Sequence, residues 1–193
     1  AKWPARVRRL LMSARRVTAP SSYMREQMRA YRADIVLLRN AVDTRANTFS
    51  ERLRARPLAV WVRAFHAIYN PNLAAEAIAL ACRTLPEMQL AMIGPDKGDG
   101  TQAAFMRRAE QLGVSSKIDV VGRVEKRDVP AHLARADIFL NTTNVDNTPI
   151  SVLEALSSGL CVISTSVGGI PYLLEHERTE VLPLRRAPAL GGA

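Results

Sequence analysis

Between residue 58 and residue 164, short, mainly apolar runs alternate with stretches in which apolar residues recur every three to four positions. Residues 58–62, 89–93, 118–121, 138–140 and 161–164 form the mainly apolar runs, broken only by Gln89, Asp119 and Ser164, and residues 73–83, 102–112, 128–134 and 150–157 carry the helical period. A strand that is apolar on both sides is buried on both faces, and strands alternating with helices join in parallel. The pattern therefore predicts an α/β fold, a Rossmann-like doubly wound parallel sheet. Upstream, residues 1–13 set Arg among Leu, Val and Met at helical spacing, and residues 16–19 read as a short strand. Ser21 or Ser22 is suited to cap a helix running to about Tyr31, and an apolar strand follows at 34–38. Residues 185–193 show no apolar period.

Composition narrows this picture. The chain has 193 residues, 48% of them hydrophobic, enough for one packed domain and a remnant of another. No apolar run approaches the roughly 20 residues of a membrane-spanning helix. Cys82 and Cys161 fall in a helical and a strand pattern and read as packed thiols. His66, His132 and His176 have no partners at ligand spacing, so no metal site is expected. The net charge of +9 is concentrated at one end, since residues 1–56 hold 14 Lys/Arg against 4 Asp/Glu. A solvated arginine-rich surface is the plainer reading, contact with an anionic membrane face the alternative, and nucleic-acid binding is not expected from this segment alone.

In a doubly wound sheet, ligands bind beyond the carboxyl ends of the strands, at the point where strand order reverses. The residues that follow the predicted strands are Arg63, the loop Gly94–Gly100 with Lys97, then Gly122 and Arg123, then 141–146, then 166–169 with Gly168 and Gly169. Asp146 and Glu154 stand eight residues apart across a loop-to-helix junction, with Pro149 near the first helical turn. This spacing puts Glu154 about two turns into the helix. The absence of a G-x-G-x-x-G or Walker pattern disfavours NAD chemistry and ATP hydrolysis.

Residues 141–171, with Asp146, Pro149, Glu154, the Ser-Gly helix end and Gly168-Gly-Ile-Pro171, closely resemble the donor-binding signature of retaining glycosyltransferases of family 4. That family has the GT-B fold, and Asp146 here replaces the first of two spaced glutamates. Residues 61–71 resemble the first strand and loop of the same domain. Residues 20–43 resemble the crossing from the amino-terminal domain, with Ala41 in place of the usual Gly. The resemblance implies a remnant of the acceptor domain at 1–45, a nucleotide-sugar-binding domain at 46–184 and a truncated tail at 185–193. It also implies a longer parent chain, with the isolated fragment inactive in transfer.

By the same resemblance, Arg63 contacts the donor diphosphate, Glu154 accepts hydrogen bonds from the ribose hydroxyls, and Asp146 with Asn147 and Thr148 holds hydroxyls of the donor sugar. Ile68 stands where the family usually has a lysine, and Lys97 is the candidate replacement. Gly122 and Arg123 border the nucleobase, and Gly168 and Gly169 give close backbone approach or form a plain turn. His66 has two readings, a phosphate contact or a loop histidine satisfied by local backbone. The implied function is transfer of a hexosyl group from a UDP- or GDP-sugar to an acceptor sugar, lipid or other hydroxyl compound, with retention and without a cofactor or metal. The implied setting is cytoplasmic, with peripheral membrane contact through the basic segment. A non-catalytic nucleotide-binding module and an epimerase of the same fold are the alternatives.

Overall fold

The computed structural model describes residues 5–174, so the 185–193 tail and His176 lie outside the described residues. Helix α1 (Ala5–Ser13) is followed by β1 (Thr18–Ala19), α2 (Ser22–Met28) and β2 (Val36–Leu37). Strands β1 and β2 pair in parallel, and Ala19, Met28 and Ile35 form a small core beneath α2. Ser21 caps α2 by accepting the Met24 amide at 3.0 Å, as its sequence position predicts. Arg32 ties this unit together by donating to Asp34 and to the Leu11 and Ala14 carbonyls.

The main sheet contains β3 (Leu58–Val62), β4 (Gln89–Ile93), β5 (Ile118–Gly122), β6 (Ile138–Asn141) and β7 (Cys161–Ser164), in the order β5-β4-β3-β6-β7. Every pairing is parallel. Both faces are covered, so most strand positions are apolar, and the polar Gln89 and Asp119 fall at exposed positions of β4 and β5. Ala59, Trp61, Leu90, Met92 and Leu140 pack against α3 (Pro71–Ala81) and α4 (Thr101–Gln111). Val60, Ile93, Phe139 and Val162 pack against α5 (Val129–Arg135) and α6 (Ile150–Ser157). Neighbouring residues of one strand thus enter opposite cores.

Strand order reverses between β3 and β6, so the crevice between their carboxyl ends is the switch point. Gly94 makes the approach at this edge tight: a Cβ there would lie 1.7 Å from the Arg63 carbonyl oxygen. The Arg63 amide in turn donates to Ile93 O at 2.9 Å. At the opposite edge, Asp137 precedes β6 and is 3% exposed. It accepts from Arg56 Nε at 2.9 Å and from Arg52 Nε at 2.9 Å, fastening the segment that links the two sheets.

Candidate functional site

Arg63 follows β3 and Asp146 lies in the loop after β6, so the sheet order brings together residues 83 positions apart in sequence. An Arg63 guanidinium nitrogen donates to Asp146 Oδ2 at 2.7 Å, and each side chain is only 16% exposed. The Arg63 guanidinium also lies over the Tyr69 ring, 5.2 Å from its centroid. Its Nε is buried with no hydrogen-bond partner among the described residues. Asp146 Oδ1 accepts the Asn147 amide at 2.8 Å, which curls the loop toward α6.

Glu154 is the fifth residue of α6, because Pro149 is extended at ψ 119° and the helix begins at Ile150. It therefore sits one turn into the helix, not two. Burial pushes its carboxyl above the ordinary value, opposed by the positive charges of Lys126 and Arg63. Both carboxylates thus lie in the field of Arg63. No side chain caps α6 at Pro149, so this end offers backbone N–H groups and the positive end of the helix dipole to the crevice.

Beside these charges a cavity of about 510 Å³ opens at the ends of β3 and β4, lined by Arg63, His66, Ile68, Tyr69, Lys97 and Val124, among others. Lys97 is exposed on its rim, and Ile68 lines the wall at 39% exposure. His66 accepts the Ile68 amide at 3.1 Å through Nδ1, the local-backbone arrangement, while its ring borders the cavity. Gly122 takes a φ of 78° to end β5, and Arg123 after it is exposed; neither lines this cavity. Thr148 and Gly169 border a second, smaller cavity of about 110 Å³ together with Ser21, Asn40 and Tyr172.

The glycine pair contributes through the loop. A Cβ on Gly168 would lie 1.9 Å from Asp146 O and one on Gly169 1.9 Å from Asn147 O, so the missing side chains make room for the loop backbone. Behind the loop, Trp61 Nε1 donates to Thr142 Oγ1 at 3.0 Å, Thr142 Oγ1 to Tyr69 O at 2.9 Å, and Thr165 Oγ1 to Thr143 O at 2.6 Å. These buried hydroxyls are consumed internally and fix the two loops of the crevice to each other.

Tyr69 and Lys126 belong to this site and were not singled out by sequence reasoning. Lys126 follows β5 just as Lys97 follows β4, so the edge rule that selected Lys97 carries a signal for it as well. Tyr69 gives no such signal, since its place over Arg63 depends on how the loop before α3 folds.

The parallel sheet with its switch-point crevice matches the GT-B fold of solved glycosyltransferases. The chain belongs to the glycosyl transferases group 1 family, whose family model matches residues 44–183. It is 28% identical over 147 residues, 75% of its length, to a phosphatidylinositol N-acetylglucosaminyltransferase component of Arabidopsis thaliana, and spans 32% of that protein. It is 31% identical over 90 residues to the GDP-mannose-dependent alpha-(1-6)-phosphatidylinositol monomannoside mannosyltransferase of Mycobacterium tuberculosis, covering 42% of this chain and 23% of that one. Among solved structures, Anabaena HepE in complex with UDP and glucose matches with a TM-score of 0.76 at 16% identity, over 90% of this chain and 52% of HepE. The chain thus spans about a third or less of these curated relatives.

Proposed function

We propose that the chain is the donor-binding portion of a retaining glycosyltransferase of family 4, which transfers a hexosyl group from a nucleoside-diphosphate sugar to an acceptor hydroxyl. The observation that carries this reading is the convergence of Arg63, Asp146 and Glu154 at the switch point, beside a cavity of about 510 Å³. Arg63, Lys97 and the amino end of α6 supply positive charge for a leaving diphosphate, with the planar guanidinium suited to two phosphate oxygens. Glu154 suits the two vicinal ribose hydroxyls, which would restore the solvation its carboxylate loses by burial. Asp146, Asn147 and Thr148 suit the sugar hydroxyls. The developing charge is met by cations, and the leaving diphosphate itself is the group placed to take the acceptor proton.

Residues 1–45 belong, in this reading, to the acceptor domain, with the donor domain running from 46 to 184. The two curated relatives carry phosphatidylinositol in their names, which favours a lipid acceptor at the cytoplasmic membrane face. The 14 Lys/Arg of residues 1–56 suit an anionic surface of that kind. The donor is of UDP or GDP type, in line with a UDP-bound neighbour and a GDP-mannose-dependent relative. Isothermal titration with UDP-, GDP- and ADP-sugars tests the reading. One of them binds the wild-type chain, and Glu154→Ala weakens that binding by about 2–4 kcal/mol with the fold retained. A folded wild-type chain that binds none of them, or an unchanged affinity in the variant, rejects it.

A further inference from the structure

The loop that carries Asp146, Asn147 and Thr148 is held from two directions. From its own domain, the Gly169 amide donates to Asp146 O at 3.0 Å, and the Gly168-Gly169 backbone packs directly beneath. From the amino-terminal unit, Ser21 Oγ donates to Asn147 Oδ1, and Asn40 Nδ2 donates to Thr148 O at 2.9 Å. Thr148 Oγ1 reaches back to Pro20 O at 3.4 Å. Pro20 and Ser21 follow β1 and Asn40 follows β2, so the carboxyl edge of the small sheet faces this loop of the large one.

The Ser21 hydroxyl is used twice. It accepts the Met24 amide to cap α2 and donates its one proton to Asn147, which couples the start of α2 to the loop. We propose that Ser21 and Asn40 are positioning residues for the donor sugar, locking the Asp146–Thr148 loop so that the sugar is recognised only while the two sheets are docked. The inference rests on the reading of this loop as the part that holds sugar hydroxyls. It adds that the hold is set from across the domain junction.

Two variants remove the donors while keeping local structure. Ser21→Gly leaves a residue that is tolerated at helix caps but has no side chain to bond Asn147, and Asn40→Asp is isosteric and loses its N–H. Ser21→Thr keeps both functions and serves as the conservative control. In the ligand-free chain, amide hydrogen exchange at Asn147 and Gly169, whose N–H groups bond to Asp146, rises in both variants, while β3 keeps wild-type protection. In titration, UDP binds both variants within about twofold of wild type, whereas UDP-glucose binds about fivefold to tenfold more weakly. GDP with GDP-mannose is the parallel pair, and Ser21→Thr behaves as wild type throughout. Unchanged exchange at the loop overturns the proposal, and so does an equal loss for the nucleoside diphosphate and its sugar. A wild-type chain that binds neither nucleotide sugar contradicts the functional reading instead, and the exchange data then decide the positioning claim alone.

Discussion

Arg63 is paired with a carboxylate in the ligand-free chain through one guanidinium nitrogen, so a diphosphate binding to it meets the negative charge of Asp146 alongside. Arg63→Ala should weaken nucleoside diphosphate binding by about 2 kcal/mol, roughly thirtyfold, and leave the bare nucleoside nearly unaffected. Dissociation constants for nucleoside, monophosphate and diphosphate provide the check, and a uniform loss would make Arg63 a support of its loop. Asp146→Asn should act in opposite directions on two ligands. It releases Arg63, so the nucleoside diphosphate binds more tightly, while the nucleotide sugar binds more weakly for want of the carboxylate. Glu154 links function to stability. Its carboxyl is raised by burial, so the folded chain holds that proton more tightly than the unfolded one. The associated stability is fully present below the ordinary value of 4.5 and is lost as pH rises through the higher folded value. Glu154→Gln should therefore raise Tm at neutral pH, and thermal melts across the acid range should show the gain vanish below that value.

At the scale of elements, the glycines separate steric from conformational demands. Gly169 has an ordinary φ of −86°, yet a Cβ there would lie 1.9 Å from the Asn147 carbonyl oxygen. Gly98 has a φ of 71° with open space around it. Gly169→Ala should therefore cost about 2–4 kcal/mol and impair donor binding, whereas Gly98→Ala should cost about 1 kcal/mol and leave binding intact. Chemical denaturation and titration of the two variants distinguish them. The strands were legible in the sequence because a sheet covered on both faces needs mainly apolar runs, and all five were placed within a residue. The start of α6 at residue 150 was legible too and already makes Glu154 the fifth helical residue, so the depth of about two turns exceeded what that start implies at 3.6 residues per turn. Asp146 and Arg63 were legible as separate residues at one sheet edge, but their ion pair depends on β3 and β6 being neighbours. Ser21 was legible as a cap, yet nothing local to it reports a partner 126 residues away.

For the whole molecule, one buried carboxylate secures the edge of the sheet away from the crevice. Hydrogen bonds from Arg56, then from Arg52, hold Asp137 well below the usual carboxylate range, against the pull of burial. The stability it contributes is present above the ordinary value of 3.8 and is lost as pH falls toward the depressed folded value. Asp137→Asn should leave the Arg52 charge buried without a counter-ion and destabilise the chain by about 3 kcal/mol at pH 7, measured by denaturant unfolding. Nucleotide binding by the folded fraction should be unchanged, because Asp137 lies at the opposite strand ends from Arg63. Nucleotide-sugar binding is assigned to the switch point between β3 and β6. A crystal structure of the chain with a nucleoside diphosphate tests that most directly. Phosphate oxygens should lie on Arg63 at the amino end of α6, with the ribose hydroxyls on Glu154. A nucleotide seated at the amino ends of the strands, or one that leaves the Arg63–Asp146 pair and Glu154 untouched, would contradict it.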